Sequence, residues 1–283
     1  MNNDYLFYKI IRNKTLFNVI LYHLKLFNKY SIVKETLFGG MEKINNFEYR
    51  EYIGKLIFVN YRNHLSENTI PNTLSNLKFG YLFDSELRIG DIPPSVETFH
   101  MGRRYMGEIL PGVIPASVKK LKLSSLFNKQ LSIGSIPESV TCLHFNDHYN
   151  RQLSIGIIPN NVVKLTLSKS FNQILNVGDL PQSLTYLKFG WCWNQKIERN
   201  SIPPKVETLI FGSYFLNKCQ PLLPGDLPFG LKHLELGHSF KHVTLMTDIT
   251  SIFFEKLPLK ESLIRRPSTI PSSVTFLKIG NEI

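Results

Sequence analysis

The sequence predicts a mostly β solenoid of about nine to ten stacked 22-residue coils sharing a parallel sheet, preceded by a small α-helical region. Three observations predict it. Prolines 71, 93, 115, 137, 159, 181 and 203 stand 22 residues apart, with Pro228 after 25 more and Pro271 after a further 43. Apolar residues keep fixed distances from these prolines. An aromatic residue recurs twelve after each of the first seven: Phe83, Tyr105, Phe127, Tyr149, Phe171, Trp193 and Phe215. Self-similarity at a period of about 20–50 residues marks a repeat architecture, in which each unit is one coil.

Each column of the repeat has a physical role. Three after the proline stand Leu74, Val96, Val118, Val140, Val162, Leu184 and Val206. Six after it stand Leu77, Phe99, Leu121, Leu143, Leu165, Leu187 and Leu209, and eight after it Phe79, Met101, Leu123, Phe145, Leu167, Phe189 and Phe211. The last two columns alternate with polar positions, which is the period of a half-buried strand. Strands such as Leu77–Gly80 and Leu187–Gly190 therefore stack coil on coil. A single coil cannot bury its apolar side, so its neighbours stabilise it. Glycine nineteen after the proline (Gly90, Gly112, Gly134, Gly156, Gly178) suits a turn with positive φ, and the proline fixes the next corner. Asparagine thirteen after it (Asn128, Asn150, Asn172, Asn194) is expected to use its amide on backbone groups that a tight turn leaves unpaired.

The strings FNKQLSIGSIP (127–137), YNRQLSIGIIP (149–159) and FNQILNVGDLP (171–181), with SLTYLKFG (183–190), resemble the FNIP repeat. FNIP repeats are similar to leucine-rich repeats and occur in large families of amoebal proteins. The resemblance runs from about Ile70 to Gly237 and returns at 270–280. It implies an interaction scaffold and no chemistry. The family pattern usually has proline after FNQ; Gln130, Gln152 and Ile174 stand there instead.

Both ends depart from the repeat. Residues 46–283 are assigned to the solenoid, with Lys55–Phe58 as a strand of a degenerate first coil over 46–69. Register is lost over 238–269, where Ile252-Phe253-Phe254 and Leu257 would suit one distorted coil or a short helix. Val274, Leu277 and Ile279 supply a final strand. Residues 1–45 are expected to be helical: Asp4 could cap a helix through about Ile11, and Asn13 a second from Lys14 to about Asn28. In the second helix Leu16, Phe17, Ile20, Leu21, Leu24 and Phe27 recur at helical spacing. This region is read as a cap on the end coil, or as a degenerate F-box-like module, because some proteins with FNIP repeats carry such a module. The Leu-Pro opening typical of an F-box is absent.

Composition excludes several function classes. Hydrophobic residues make up 43% of the chain and aromatics 12%, which places it among folded proteins. No stretch reaches the length of a membrane helix; the apolar run 16–26 is broken by His23 and Lys25. Cys142, Cys192 and Cys219 share no metal or redox spacing, so free thiols and an intracellular, cytoplasmic protein are expected. No catalytic constellation, phosphate-binding loop, cofactor motif or metal set is present, and the chain is read as non-enzymatic. His144 and His148 are four apart, but on a strand and turn that spacing does not align two imidazoles, and neither they nor His238 and His242 have a third ligand.

The net charge of +11 is spread along the chain. The polar columns five and seven after the proline point away from the core and carry Lys78, His100, Lys120, Lys122, His144, Lys164, Lys188, His233 and Lys278. Acid is nearly absent there, Glu235 being the exception. Like charges on neighbouring strands repel by up to about 1 kcal/mol per close pair. These residues form the candidate interaction face, for an acidic protein partner. A plain structural reading stands beside it: solvated lysines keep an open sheet face from aggregating. The expected function is a protein-interaction scaffold with a curved repeat surface. The alternatives are a ubiquitin-ligase substrate adaptor using residues 1–45, and binding of acidic partners or nucleic acid. Nucleic acid is disfavoured because few exposed aromatics, chiefly Tyr186, stand in these columns to stack on bases.

Overall fold

The computed structural model describes residues 14–30, 32–34, 44, 46–58, 65, 70–212, 225–237, 252–254, 270–271 and 273–279. It is a solenoid with about seven regular turns, slightly fewer than the nine to ten expected. Among the described residues one sheet of twelve parallel strands carries the coils. In chain order these are β1 (Ile32–Lys34), β2 (Lys55–Ile57), β3 (Asn76–Lys78), β4 (Thr98–His100), β5 (Lys120–Lys122) and β6 (Cys142–His144). They continue as β7 (Lys164–Thr166), β8 (Tyr186–Lys188), β9 (Thr208–Ile210), β10 (His233–Leu236), β11 (Ile252–Phe254) and β12 (Phe276–Ile279). From β3 to β9 each strand pairs with its counterpart 22 residues away, as Leu121 does with Leu143 and Leu143 with Leu165. The proline spacing is thus the sheet register.

From β2 to β9 each three-residue strand buries its middle side chain and turns the flanking two outward. The column eight after the proline is buried from Phe79 to Phe211, and the spine from Phe83 to Trp193 is at most 1% exposed. Phe127 and Tyr149 stack with centroids 5.9 Å apart and planes 5° from parallel. A further buried column, sixteen after the proline, comprises Leu87, Ile109, Leu131, Leu153, Leu175 and Ile197.

Polar ladders join the coils between the apolar columns. The amide N–H groups of Asn150, Asn172 and Asn194 donate to the side-chain oxygens of Asn128, Asn150 and Asn172 at 2.8–3.0 Å, so the asparagine column does satisfy backbone groups. A serine ladder runs parallel to it. The hydroxyls of Ser95, Ser117, Ser139 and Ser183 donate to the carbonyls of Leu74, Val96, Val118 and Val162 at 2.7–2.8 Å. The turn glycine behaves as expected: φ is between 85° and 94° from Gly90 to Gly178. Where glycine is missing, Asn200 takes the same position with φ 65°. Asparagine is among the few residues that tolerate this region.

Three features differ at the ends. Within the region read as helical, Ile32–Lys34 is a strand that pairs with β2 and extends the sheet. The segment 252–254 is a strand, but β12 lies directly against β10 and β11 lies outside β12. The 43-residue proline spacing is therefore closed by an excursion of the chain, and the last strand in sequence is not the last in space. The helix α1 (Lys14–Tyr30) forms where the apolar spacing placed it, and Lys29 in its last turn suits the helix dipole. Its His23 hydrogen-bonds to Tyr52, and Tyr30 packs on Phe47 and Tyr49. Its other apolar residues are largely exposed, Leu24 at 52% and Phe27 at 50%. The earlier helix near Asp4 and residues Phe215, Cys219, His238 and His242 lie outside the described residues.

Candidate interaction face

The parallel register sorts the outward side chains into two rows. The first, five after the proline, runs Lys55, Asn76, Thr98, Lys120, Cys142, Lys164, Tyr186, Thr208, His233, Phe276. The second, seven after it, runs Ile57, Lys78, His100, Lys122, His144, Thr166, Lys188, Ile210, Glu235, Lys278. Lys78, His100, Lys122 and His144 are consecutive, and Lys120 shares a strand with Lys122. Lys164 and Lys188 sit just beyond them. His233 and Lys278 belong to a separate end of the face. Glu235 accepts from His233 at 2.9 Å, and Phe276 stacks on the same imidazole at 4.2 Å.

Within either row no lysine faces another lysine across a strand pair. The repulsion that the composition suggests is relieved by what stands between: His100 between Lys78 and Lys122, Cys142 between Lys120 and Lys164. The imidazoles are neutral spacers. Burial holds the His144 pKa down at about 4, aided by Lys122, Lys188 and His100 and opposed by Asp147. Burial also lowers that of His100, with Lys122, Lys78 and Lys55 adding to the effect.

This arrangement has a pH signature. The unfolded chain binds a proton on His144 near pH 6.5, while the folded chain resists until about pH 4. Stability is therefore complete above the unfolded value and falls as pH drops towards 4. After allowance for solvent screening of the lysines, the loss from this residue is about 1–2 kcal/mol. Urea titrations at pH 7 and pH 4.5 should show a smaller loss for His144→Gln than for the parent chain. An equal loss would assign the acid sensitivity to carboxylates alone.

Turns after the strands add charges that the two strand columns do not contain. Arg103 and Arg104 lie over the exposed ring of Tyr81 at 5.1 and 5.5 Å, and Lys169 lies 5.9 Å from the ring of Trp191. Lys169 also pairs with Asp147 at 2.8 Å. The row ten after the proline, Tyr81, Arg103, Ser125, Asp147, Lys169, Trp191, could have signalled this border. A notch of about 410 Å³ opens where this border meets Lys78, His100 and Lys122. His148 bonds through Nδ1 to the Ser125 carbonyl at 2.9 Å, away from His144. Among the described residues no group of three or more His, Cys, Asp or Glu is placed to hold a metal ion. None of their helices is long and apolar enough to cross a membrane.

Short parallel strands at a fixed coil period, closed by a proline corner, define a leucine-rich-repeat-like solenoid. Its regular part carries FNIP repeats, matched over residues 83–126, 127–170 and 171–214, each match spanning two coils. Two FNIP repeat-containing proteins of Dictyostelium discoideum are similar. One is 32% identical over 110 residues (33% of this chain, 21% of the relative), the other 33% identical over 99 residues (35% and 26%). The matches thus span about a quarter or less of those relatives. A solved structure, CroV588, described as a novel circular LRR protein, superposes with TM-score 0.63 and 26% identity. The superposition covers 82% of this chain and 35% of that one.

Proposed function

We propose that this chain is a non-enzymatic protein-interaction module whose basic strand face, centred on Lys78, His100, Lys120, Lys122, His144, Lys164 and Lys188, docks an acidic segment of a protein partner. The observation that carries this reading is the placement of these residues on neighbouring strands of one open, rigid sheet face, with Glu235 alone supplying acid in the two rows. The solenoid core fixes their spacing at about 4.8 Å per strand, so little ordering is needed on binding. Surface charge of one sign supplies on-rate and selectivity more than raw affinity. The exposed aromatics Tyr81 and Trp191 already pack against cations, which argues against base stacking as the main contact.

The test is binding of a poly-glutamate peptide at rising salt. Affinity should fall as salt rises, and Lys120→Glu with Lys164→Glu should weaken it by about tenfold or more. Both side chains are exposed, so circular dichroism should report an unchanged fold. Unchanged binding by the double variant would sink the reading and leave the lysines as solubilising groups.

One observation favours a second reading, recruitment of a ligase component through α1. The helix presents Leu16, Phe17, Val19, Leu21, Leu24 and Phe27 to solvent. Leu24→Asp with Phe27→Asp should abolish capture of ligase components from native cells without altering peptide binding by the strand face. Retention of the same components would remove this reading.

A further inference from the structure

We propose that the notch at the border of β3, β4 and β5 is a subsite for a phosphoryl group carried on the acidic partner segment, held by Lys78, Lys122 and Arg103 with His100 between them. This rests on the reading of the strand face as a protein-docking surface and adds what that surface selects. The notch has room for a group larger than a carboxylate, about 410 Å³, and none of its lining residues is acidic. Lys78 and Lys122 flank His100 in direct register, one strand to either side, and so stand about 10 Å apart at the backbone. Arg103 enters from the turn after β4, and Asn146 also lines the notch. None of the three cations makes an ion pair among the described residues.

Three cations with no carboxylate partner among the described residues, around one depression, call for a compact anion of high charge. A phosphomonoester carries about −1.5 to −2 charges and three acceptor oxygens, enough to engage an arginine fork and two ammonium groups at once. A carboxylate brings a single charge and two oxygens. A nucleic-acid backbone needs a longer track of permanent cations, and here the track is interrupted by neutral imidazoles and by Thr166. Tyr81, the exposed aromatic that lines the notch, is occupied by Arg103 and Arg104. His100 reports on occupancy. In the free protein burial and the ammonium groups of Lys122, Lys78 and Lys55 disfavour its protonated form, and His144 lies beyond Lys122 in the same row. A bound dianion offsets the ammonium charges, so His100 gains a proton more readily when the subsite is filled.

The experiment follows the imidazole signals of the full chain, labelled with ¹³C-histidine, by NMR. Three probes are used: the peptide acetyl-EGSGE-amide, the same peptide phosphorylated on its serine, and a ten-nucleotide thymidine strand. The phosphopeptide should bind about tenfold tighter than its parent, shift His100 more than His144, and raise the His100 titration midpoint. Lys78→Gln, Lys122→Gln and Arg103→Gln should each weaken the phosphopeptide about fivefold or more, and the parent peptide by a clearly smaller factor. Lys164→Gln, outside the notch, should affect both peptides alike. Equal affinity for the two peptides with His100 silent overturns the subsite and leaves the acidic docking face standing. Failure of both peptides to bind overturns both readings. An oligonucleotide that outcompetes the phosphopeptide overturns the phosphomonoester in favour of a phosphodiester chain.

Discussion

Replacing Phe171 by alanine is expected to lower the unfolding free energy by about 3–5 kcal/mol, the cost of removing a large aromatic ring from a packed core. The side chain is fully buried. It belongs to a spine in which one aromatic per coil fills the interior, with Tyr149 before it and Trp193 after it. In a solenoid a coil contacts only its neighbours, so there is little surrounding structure to collapse into the vacancy. Phe171→Leu keeps most of the volume and should cost well under half as much. Urea denaturation followed by far-ultraviolet circular dichroism measures both. The alanine variant should also unfold less cooperatively, because a weakened central coil uncouples the two halves. A loss below about 1 kcal/mol would mean that the spine is not a continuous core.

The strands and spine were legible from the sequence because a solenoid writes its register directly into residue spacing. Leu121, Leu143 and Leu165 are 22 apart in the chain and paired in the sheet. What was not legible depends on how coils approach one another. Serine two after the proline reads as an exposed turn residue. Its bond to the preceding coil, Ser117 to the Val96 carbonyl for example, exists only once the coils are stacked. Strand β1 escaped because three residues after a helix carry too little periodicity to separate from it. The pairing of β12 with β10 escaped because proline spacing reports chain length and is blind to an excursion that returns to the same edge. The candidate face was legible as a set of columns. The alternation of charged and neutral groups along each row required the register, and Arg103 was missed because it joins from a turn, outside both strand columns.

The same dependence on coil approach makes Gly190→Ala the substitution with the largest expected effect. A Cβ built on Gly190 would lie 1.8 Å from the Ser168 carbonyl oxygen, 2.5 Å from its carbon and 2.6 Å from the Lys169 Cα. All three are backbone atoms, so no side chain can swing aside. Relief requires the coils to separate by more than an ångström at a point where they are hydrogen-bonded on both sides. The Leu167 amide donates to the Lys188 carbonyl at 2.8 Å, and the Cys192 amide to the Lys169 carbonyl at 2.9 Å. Gly212 repeats the approach one coil on, its Cβ position 2.1 Å from the Gly190 carbonyl oxygen, so a displaced Gly190 would disturb the next interface as well. A loss above about 4 kcal/mol is expected, the range reserved for disrupted cores and forbidden backbone contacts. Gly90→Ala is the control. Its φ of 94° strains any side chain, yet nothing lies within 4 Å of the added carbon. Strain alone costs about 1–2 kcal/mol. Denaturation of the two variants side by side separates the causes: a Gly190 loss several times that of Gly90 assigns the cost to coil contact, and equal losses would mean that dihedral strain is all that glycine relieves in this fold.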